Sequence, residues 1–143
     1  MPTRNASAEW QGDFKRGGGQ VAVGSGAFDL PYTFSGRFGD GTGTNPEELV
    51  GAAHASCFAM ALSVGLSQAG TPPEKLDVSA AVTVDQVEGG FEITKIALTV
   101  RGKVPGVDAD GFQQAAQGAK EQCPLSKALA SVKEITLDAA LED

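Results

Sequence analysis

The sequence predicts an α+β fold with antiparallel sheets, and three observations carry the prediction. A long apolar helix sits near the middle of the chain. A stretch of strict apolar–polar alternation follows it, folded back on itself at Gly89-Gly90. The order of elements is strands, helix, hairpin, helices, strand, which segregates strands from helices instead of alternating them.

Taken in order, Ser7–Gly12 reads as a short strand. Gly17, Gly18 and Gly19 read as a turn, and Gln20–Gly24 as a second strand. Tyr32–Gly36 reads as a third, because Thr33 and Phe34 favour extended backbone. Phe38–Thr44 is a glycine-rich loop. A helix then starts at Asn45, a good N-cap, with Pro46 at the first helical position and Glu47 and Glu48 against the positive helix end. Glu48 stands three residues after Asn45, as in a capping box. Gly70 and Pro72-Pro73 end this helix. Leu49, Val50, Ala53, Phe58, Met60, Leu62 and Leu66 surround it, so it is expected to be buried in the core or against a partner chain. Val78, Ala80, Val82 and Val84 share one face of the next strand, and the return strand runs from Phe91 and Ile93 to about Val100. Asp108 caps a helix to about Gln122, Pro124 opens a short helix over Leu125–Ala130, and Ile135, Leu137, Ala139 and Leu141 alternate in a last strand.

The 143 residues suit a single domain, 1–143, and 41% apolar residues supply a core. The net charge of −7 argues against a nucleic-acid or anionic-membrane binder, since both need a basic face. Met1–Trp10 is polar and has no apolar signal core, and the stretch around Leu49–Leu66 carries His54, Ser56 and Ser63, unlike a membrane span. The expected compartment is therefore the cytoplasm. In that reducing setting, two cysteines are more often catalytic, redox-active or metal-binding than a structural staple.

Cys57 lies in the long helix and Cys123 just before Pro124. A thiolate that attacks a peroxide O–O bond becomes a sulfenic acid, and a second thiol condenses with it to a disulfide. No cofactor is needed. The plain alternative is that both are small core hydrophobes. An attacking thiolate needs a nearby cation, and Arg37, beside the glycine-rich loop, is the candidate. Its own partner would be Glu47 or Glu48; the plain alternatives are a solvated arginine and helix-dipole glutamates. Ten residues on one straight helix span about 15 Å, so Glu47 and Cys57 of one chain cannot touch. A shared site would take Glu47 from a second subunit, which predicts a homodimer with two such sites.

The stretches Gly43-Thr44-Asn45-Pro46-Glu47-Glu48-Leu49 and Ala52-Ala53-His54-Ala55-Ser56-Cys57-Phe58, with Gln122-Cys123-Pro124-Leu125-Ser126, resemble the OsmC/Ohr family of organic hydroperoxide reductases. Trp10–Gly17 and Gly36-Arg37-Phe38 are similar to the OsmC branch in particular. The resemblance covers essentially the whole chain. It implies an intertwined homodimer, with sheets wrapped around central cysteine-bearing helices and active sites at the interface. It makes Cys57 the peroxidatic and Cys123 the resolving cysteine, Arg37 the catalytic arginine and Glu47 its salt-bridge partner. Arg16 is the alternative arginine, by analogy with the Ohr branch. The implied substrate is an organic hydroperoxide, more than hydrogen peroxide, and the implied reductant a dithiol, including lipoylated protein.

Four other signals are weighed beside this reading. His54, three residues before Cys57, is expected to be a satisfied core histidine and not the base of a Cys–His pair. A zinc site on His54, Cys57 and Cys123, as in a metal-dependent hydrolase, lacks any short-spaced cysteine pair or second histidine. The Gly39–Gly43 loop lacks a Walker lysine, and Glu47 and Glu48 would repel an anion. Phe34, Phe38 and Phe58 are candidates for an apolar pocket or for core packing. The remaining alternative is a binding protein on the same fold with idle thiols.

Overall fold

The computed structural model describes residues 1–142, which fall into two units, Met1–Leu49 and Val50 onward. In the first unit, β1 (Ala6–Gln11), β2 (Gly18–Val23) and β3 (Asp29–Thr33) form an antiparallel sheet in sequence order. The turn expected at Gly17–Gly19 lies one step earlier, closed by the Gly17 N–H donating to the Asp13 carbonyl at 2.8 Å. Gly18 and Gly19 belong to β2. Gly19 is a glycine for close approach: a Cβ there would collide with the Glu9 carbonyl oxygen and lie 2.8 Å from the Tyr32 ring. The strand expected over Tyr32–Gly36 stops at Thr33. There the threonine hydroxyl accepts the Gly36 N–H at 3.0 Å and caps a short helix, α1 (Phe34–Phe38). Local side-chain capping overrides strand preference at this point. In this unit only Thr44 and Glu47 are buried; no apolar side chain is.

Helix α2 (Pro46–Gln68) starts as expected, with Asn45 Oδ1 accepting the Glu48 N–H at 2.7 Å. The Glu48 carboxylate does not complete the capping box; it accepts from the Thr44 hydroxyl at 2.8 Å. The helix ends at Gly70, whose φ of 86° suits glycine, with the Thr71 N–H reaching back to the Leu66 carbonyl at 2.9 Å. Gly51, His54, Phe58, Leu62 and Leu66 make its buried stripe, while Met60 and Val64 on another face are 71% and 55% exposed. The expectation of a helix covered all round is therefore met on one side within this chain. By length and composition α2 would suffice to cross a membrane, yet Phe58, Leu62 and Leu66 are core residues.

In the second unit, β4 (Lys75–Val87) and β5 (Gly90–Lys103) form the expected antiparallel hairpin, and β6 (Glu134–Leu141) pairs with β5 in parallel. The expectation of purely antiparallel sheets fails at this one pairing. Helices α3 (Ala109–Gln122) and α4 (Pro124–Ala128) carry the chain back along the sheet, so β6 enters in the same direction as β5. Asp108 caps α3 as expected, accepting the Gly111 N–H at 2.8 Å. Phe58, Leu62 and Leu66 pack with Ile96, Leu98 and Val100 of β5 and with Phe112 and Ala116 of α3. Gly102 admits the Phe112 ring, since a Cβ there would lie 2.8 Å from it.

Candidate active site

Cys57 is on the middle of α2, one helical turn beyond His54 and directly before the core residue Phe58. Cys57 is partly buried, Cys123 is fully buried, and both are free thiols. Cys123 occupies the junction of α3 and α4. Its N–H closes α3 on the Ala119 carbonyl at 2.9 Å, and its own carbonyl accepts the Lys127 N–H at 3.0 Å as α4 begins. Pro124 fits there because the first residue of a helix needs no N–H. This junction brings Cys123 against Cys57. Burial pushes the Cys57 thiol above its ordinary pKa; the Leu125 amide beside the sulfur pulls it back, and the neighbouring Cys123 thiol adds to the rise. Within its own unit, then, burial favours the thiol form of Cys57, and no cation is among the groups acting on its pKa.

His54 is fully buried, and burial depresses its pKa. Its Nε2 lies 2.8 Å from the Ser126 hydroxyl, and no hydrogen bond joins it to Cys57 among the described residues. It is not fully satisfied, because Nδ1 has no hydrogen-bond partner. The expectation of a satisfied core histidine is thus met at one nitrogen only.

In the first unit, Arg37 and Glu47 form a side-on pair. Arg37 Nε donates to both carboxylate oxygens at 3.1 Å, and Nη2 donates to Oε1 at 2.7 Å. Of the two glutamates left open by the sequence, Glu47 is the partner and Glu48 is engaged with Thr44. The Glu47 side chain is 8% exposed and that of Arg37 30%. Asn45 fixes the approach, since its Nδ2 donates to the Gly36 carbonyl at 3.0 Å while its Oδ1 caps α2. One side chain thereby ties the arginine's helix to the glutamate's. Arg37 also stacks on the Phe38 ring, 5.0 Å from its centroid. Arg16 is instead a turn residue, paired with Asp13 at 2.9 Å and 89% exposed.

A cavity of about 250 Å³ opens beside Arg37, walled by Trp10, Phe14, Tyr32, Phe34 and Pro46. Phe14, Phe34 and Phe38 contact one another with centroids 5.0 to 6.2 Å apart, and Trp10 leans on Tyr32 at 5.3 Å. Of the three phenylalanines expected at a pocket, Phe34 lines this one, Phe38 packs behind it, and Phe58 is core. Trp10, Phe14 and Tyr32 were not legible as wall residues. They come from β1, the turn after it and β3, and no spacing rule links them. The arginine–glutamate pair with its cavity belongs to the first unit, and the cysteine pair with His54 and Ser126 to the second.

A family model described as OsmC-like protein matches residues 39–138. The chain is 50% identical over 140 residues to the Escherichia coli (strain K12) protein named peroxiredoxin OsmC, covering 97% of this chain and 96% of that one. It is 33% identical over 111 residues to the organic hydroperoxide resistance protein of Xanthomonas axonopodis pv. citri, covering 77% and 75%. Among solved structures, an organic hydroperoxide resistance protein from Elizabethkingia anophelis superposes with a TM-score of 0.79 at 26% identity, covering 99% and 98%. With a family model spanning most of its length and a relative half identical from end to end, this chain belongs to the OsmC family.

Proposed function

We propose that this chain is a cysteine-based peroxidase that reduces organic hydroperoxides, with Cys57 as nucleophile and Cys123 as resolving thiol. The observation that carries the reading is the contact of two free thiols from distant parts of the chain, one partly buried and one fully buried. In the first step the Cys57 thiolate attacks the terminal peroxide oxygen. The O–O bond breaks, an S–O bond forms, and the alkoxide leaves as alcohol with a proton. In the second step the Cys123 sulfur displaces that oxygen as water, forming the Cys57–Cys123 disulfide. An external dithiol, such as a lipoyl group on a protein, then reduces it by exchange. The relatives named peroxiredoxin and organic hydroperoxide resistance protein support the same activity.

The role of Arg37 is to supply the cation that Cys57 lacks in its own unit, with Glu47 holding the guanidinium in one orientation. Glu47 and Cys57 are ten residues apart on α2, about 15 Å of axial rise, so a second copy of the chain delivers the pair. Two features favour that homodimer: Met60 and Val64 stand exposed on α2, and the first unit has no buried apolar side chain of its own. The active form is then a single-domain protomer paired across α2, in the cytoplasm, where dithiol reductants are available. The aromatic-walled cavity beside Arg37 favours a peroxide with an apolar tail, which gains burial that hydrogen peroxide does not.

The test is dithiol-dependent consumption of cumene hydroperoxide by the wild-type protein and by Cys57→Ser. Activity in the first and none in the second supports the reading. A folded, reduced wild-type protein that consumes no peroxide returns the chain to a binding protein with idle thiols. Light scattering at micromolar concentration tests the dimer; a monodisperse monomer would refute it.

A further inference from the structure

The proposed chemistry leaves one fully buried, titratable side chain without a task. A histidine kept only to fill space at position 54 is a poor choice, because leucine or phenylalanine would fill the core without burying an unpaired nitrogen. Nδ1 of His54 is such an atom, while Nε2 meets the Ser126 hydroxyl at 2.8 Å. A neutral ring protonated on Nε2 leaves a lone pair at Nδ1 and not a stranded N–H, which is the more tolerable arrangement.

The place of this hydrogen bond shows what it can do. Ser126 is the third residue of α4, Leu125 the second, and Cys123 the residue that caps it. Cys57 and His54 are one turn apart on the same side of α2, and both meet the first turn of α4. Cys57 faces the Cys123 thiol and the Leu125 amide, and His54 holds Ser126. Helix α4 has five residues and no fully buried side chain. A helix so short does not hold itself in place. Among the described residues, His54–Ser126 is the hydrogen bond that ties an α4 side chain to α2.

We infer that His54 and Ser126 form a positioning pair for disulfide formation, fastening the first turn of α4 to α2 so that the Cys123 thiol stays aligned on Cys57. The inference rests on the Cys57–Cys123 reading above. Its consequence is a partition. Once Cys57 is a sulfenic acid, either Cys123 displaces its oxygen as water to give the disulfide, or a second peroxide molecule oxidises it to the sulfinic acid while being reduced to alcohol. The positioning pair acts on the first branch. It touches neither the peroxide nor the reacting sulfur, so it is not a catalytic residue pair.

The experiment mixes the fully reduced full-length protein with cumene hydroperoxide, quenches with dimedone and an alkylating agent, and follows sulfenic, disulfide and sulfinic forms by intact mass. It compares wild type, Ser126→Ala, Ser126→Thr and His54→Phe. Disulfide formation should slow roughly tenfold in Ser126→Ala, about the effect of one lost hydrogen bond. The sulfinic form should rise correspondingly, loss of the reduced thiol should stay within about threefold of wild type, and Ser126→Thr should restore the partition. Ser126 is only partly buried, so its alanine variant decides the matter even where His54→Phe does not fold. Equal disulfide rates in wild type and Ser126→Ala would overturn the inference alone. So would equal slowing of both steps without rescue by threonine, which is the mark of a merely structural role. A wild-type protein that forms neither sulfenic acid nor disulfide would overturn the functional reading, and this inference with it.

Discussion

Arg37→Ala removes a guanidinium that donates three hydrogen bonds to Glu47, two from Nε and one from Nη2. The carboxylate left behind is 8% exposed in the intact pair, so it loses its charged partner at a largely desolvated position. Breaking a buried pair from one side costs about 3–5 kcal/mol, because the remaining charge is stranded. Arg37 is itself 30% exposed, which places the expected loss at the low end, about 3 kcal/mol. That corresponds to roughly two decades in the folding equilibrium and a fall of about 10 °C in melting temperature for a chain of this size. The assay is urea denaturation at fixed protein concentration for wild type, Arg37→Ala, Glu47→Gln and the double variant. Glu47→Gln should cost less, and the double variant should be no worse than Arg37→Ala, giving a coupling of about 2 kcal/mol. Additive losses, with coupling under about 0.5 kcal/mol, would show that the pair is not the unit the geometry makes it. Arg37→Lys keeps the charge but cannot fork onto both oxygens, so it should recover only part of the stability.

Three further outcomes are expected. Cys123 adds to the raised pKa of Cys57, so Cys123→Ala should lower that pKa and speed the first oxidation at neutral pH while abolishing intramolecular disulfide; thiolate absorbance against pH and single-turnover kinetics read both. Burial holds the His54 pKa below 6.5, so its neutral form contributes stability that is complete above 6.5 and lost as pH falls through the folded value; His54→Phe should flatten that part of the stability–pH curve, and an unchanged curve would place the acid sensitivity elsewhere. Gly19→Ala should cost upwards of about 2 kcal/mol, because the Cβ meets Glu9 backbone and the Tyr32 ring where neither strand can retreat without breaking pairing; a thermal melt within a degree of wild type would count against that packing.

Helix α2 and its cap, the β4–β5 hairpin, the Asp108 cap and the last strand were legible because their signals are local. A capping side chain acts within three residues, and alternation is a property of a single strand. The errors fell where a local signal competed with another. Thr33 reads as a strand residue by propensity and acts as a helix cap, and the glycines at 18 and 19 read as a turn and serve instead inside a strand. The parallel pairing of β6 was not legible, because direction depends on where α3 and α4 return the chain.

The site divides in the same way. The sequence by itself determined the residue types: two thiols that can become a disulfide, an arginine, a pair of glutamates at a helix start, and the motifs that resemble the OsmC family. It also set the axial separation of Glu47 from Cys57, since helix rise per residue is fixed. Only tertiary structure decided which glutamate Arg37 holds, because Glu47 and Glu48 are adjacent and differ only in the direction they leave the helix. Only tertiary structure put Cys123 and Ser126 against the turn of α2 that carries Cys57 and His54. Those contacts depend on how a short helix is docked, through the partly buried Leu125 on the core and the His54–Ser126 hydrogen bond, and no local sequence pattern specifies that docking.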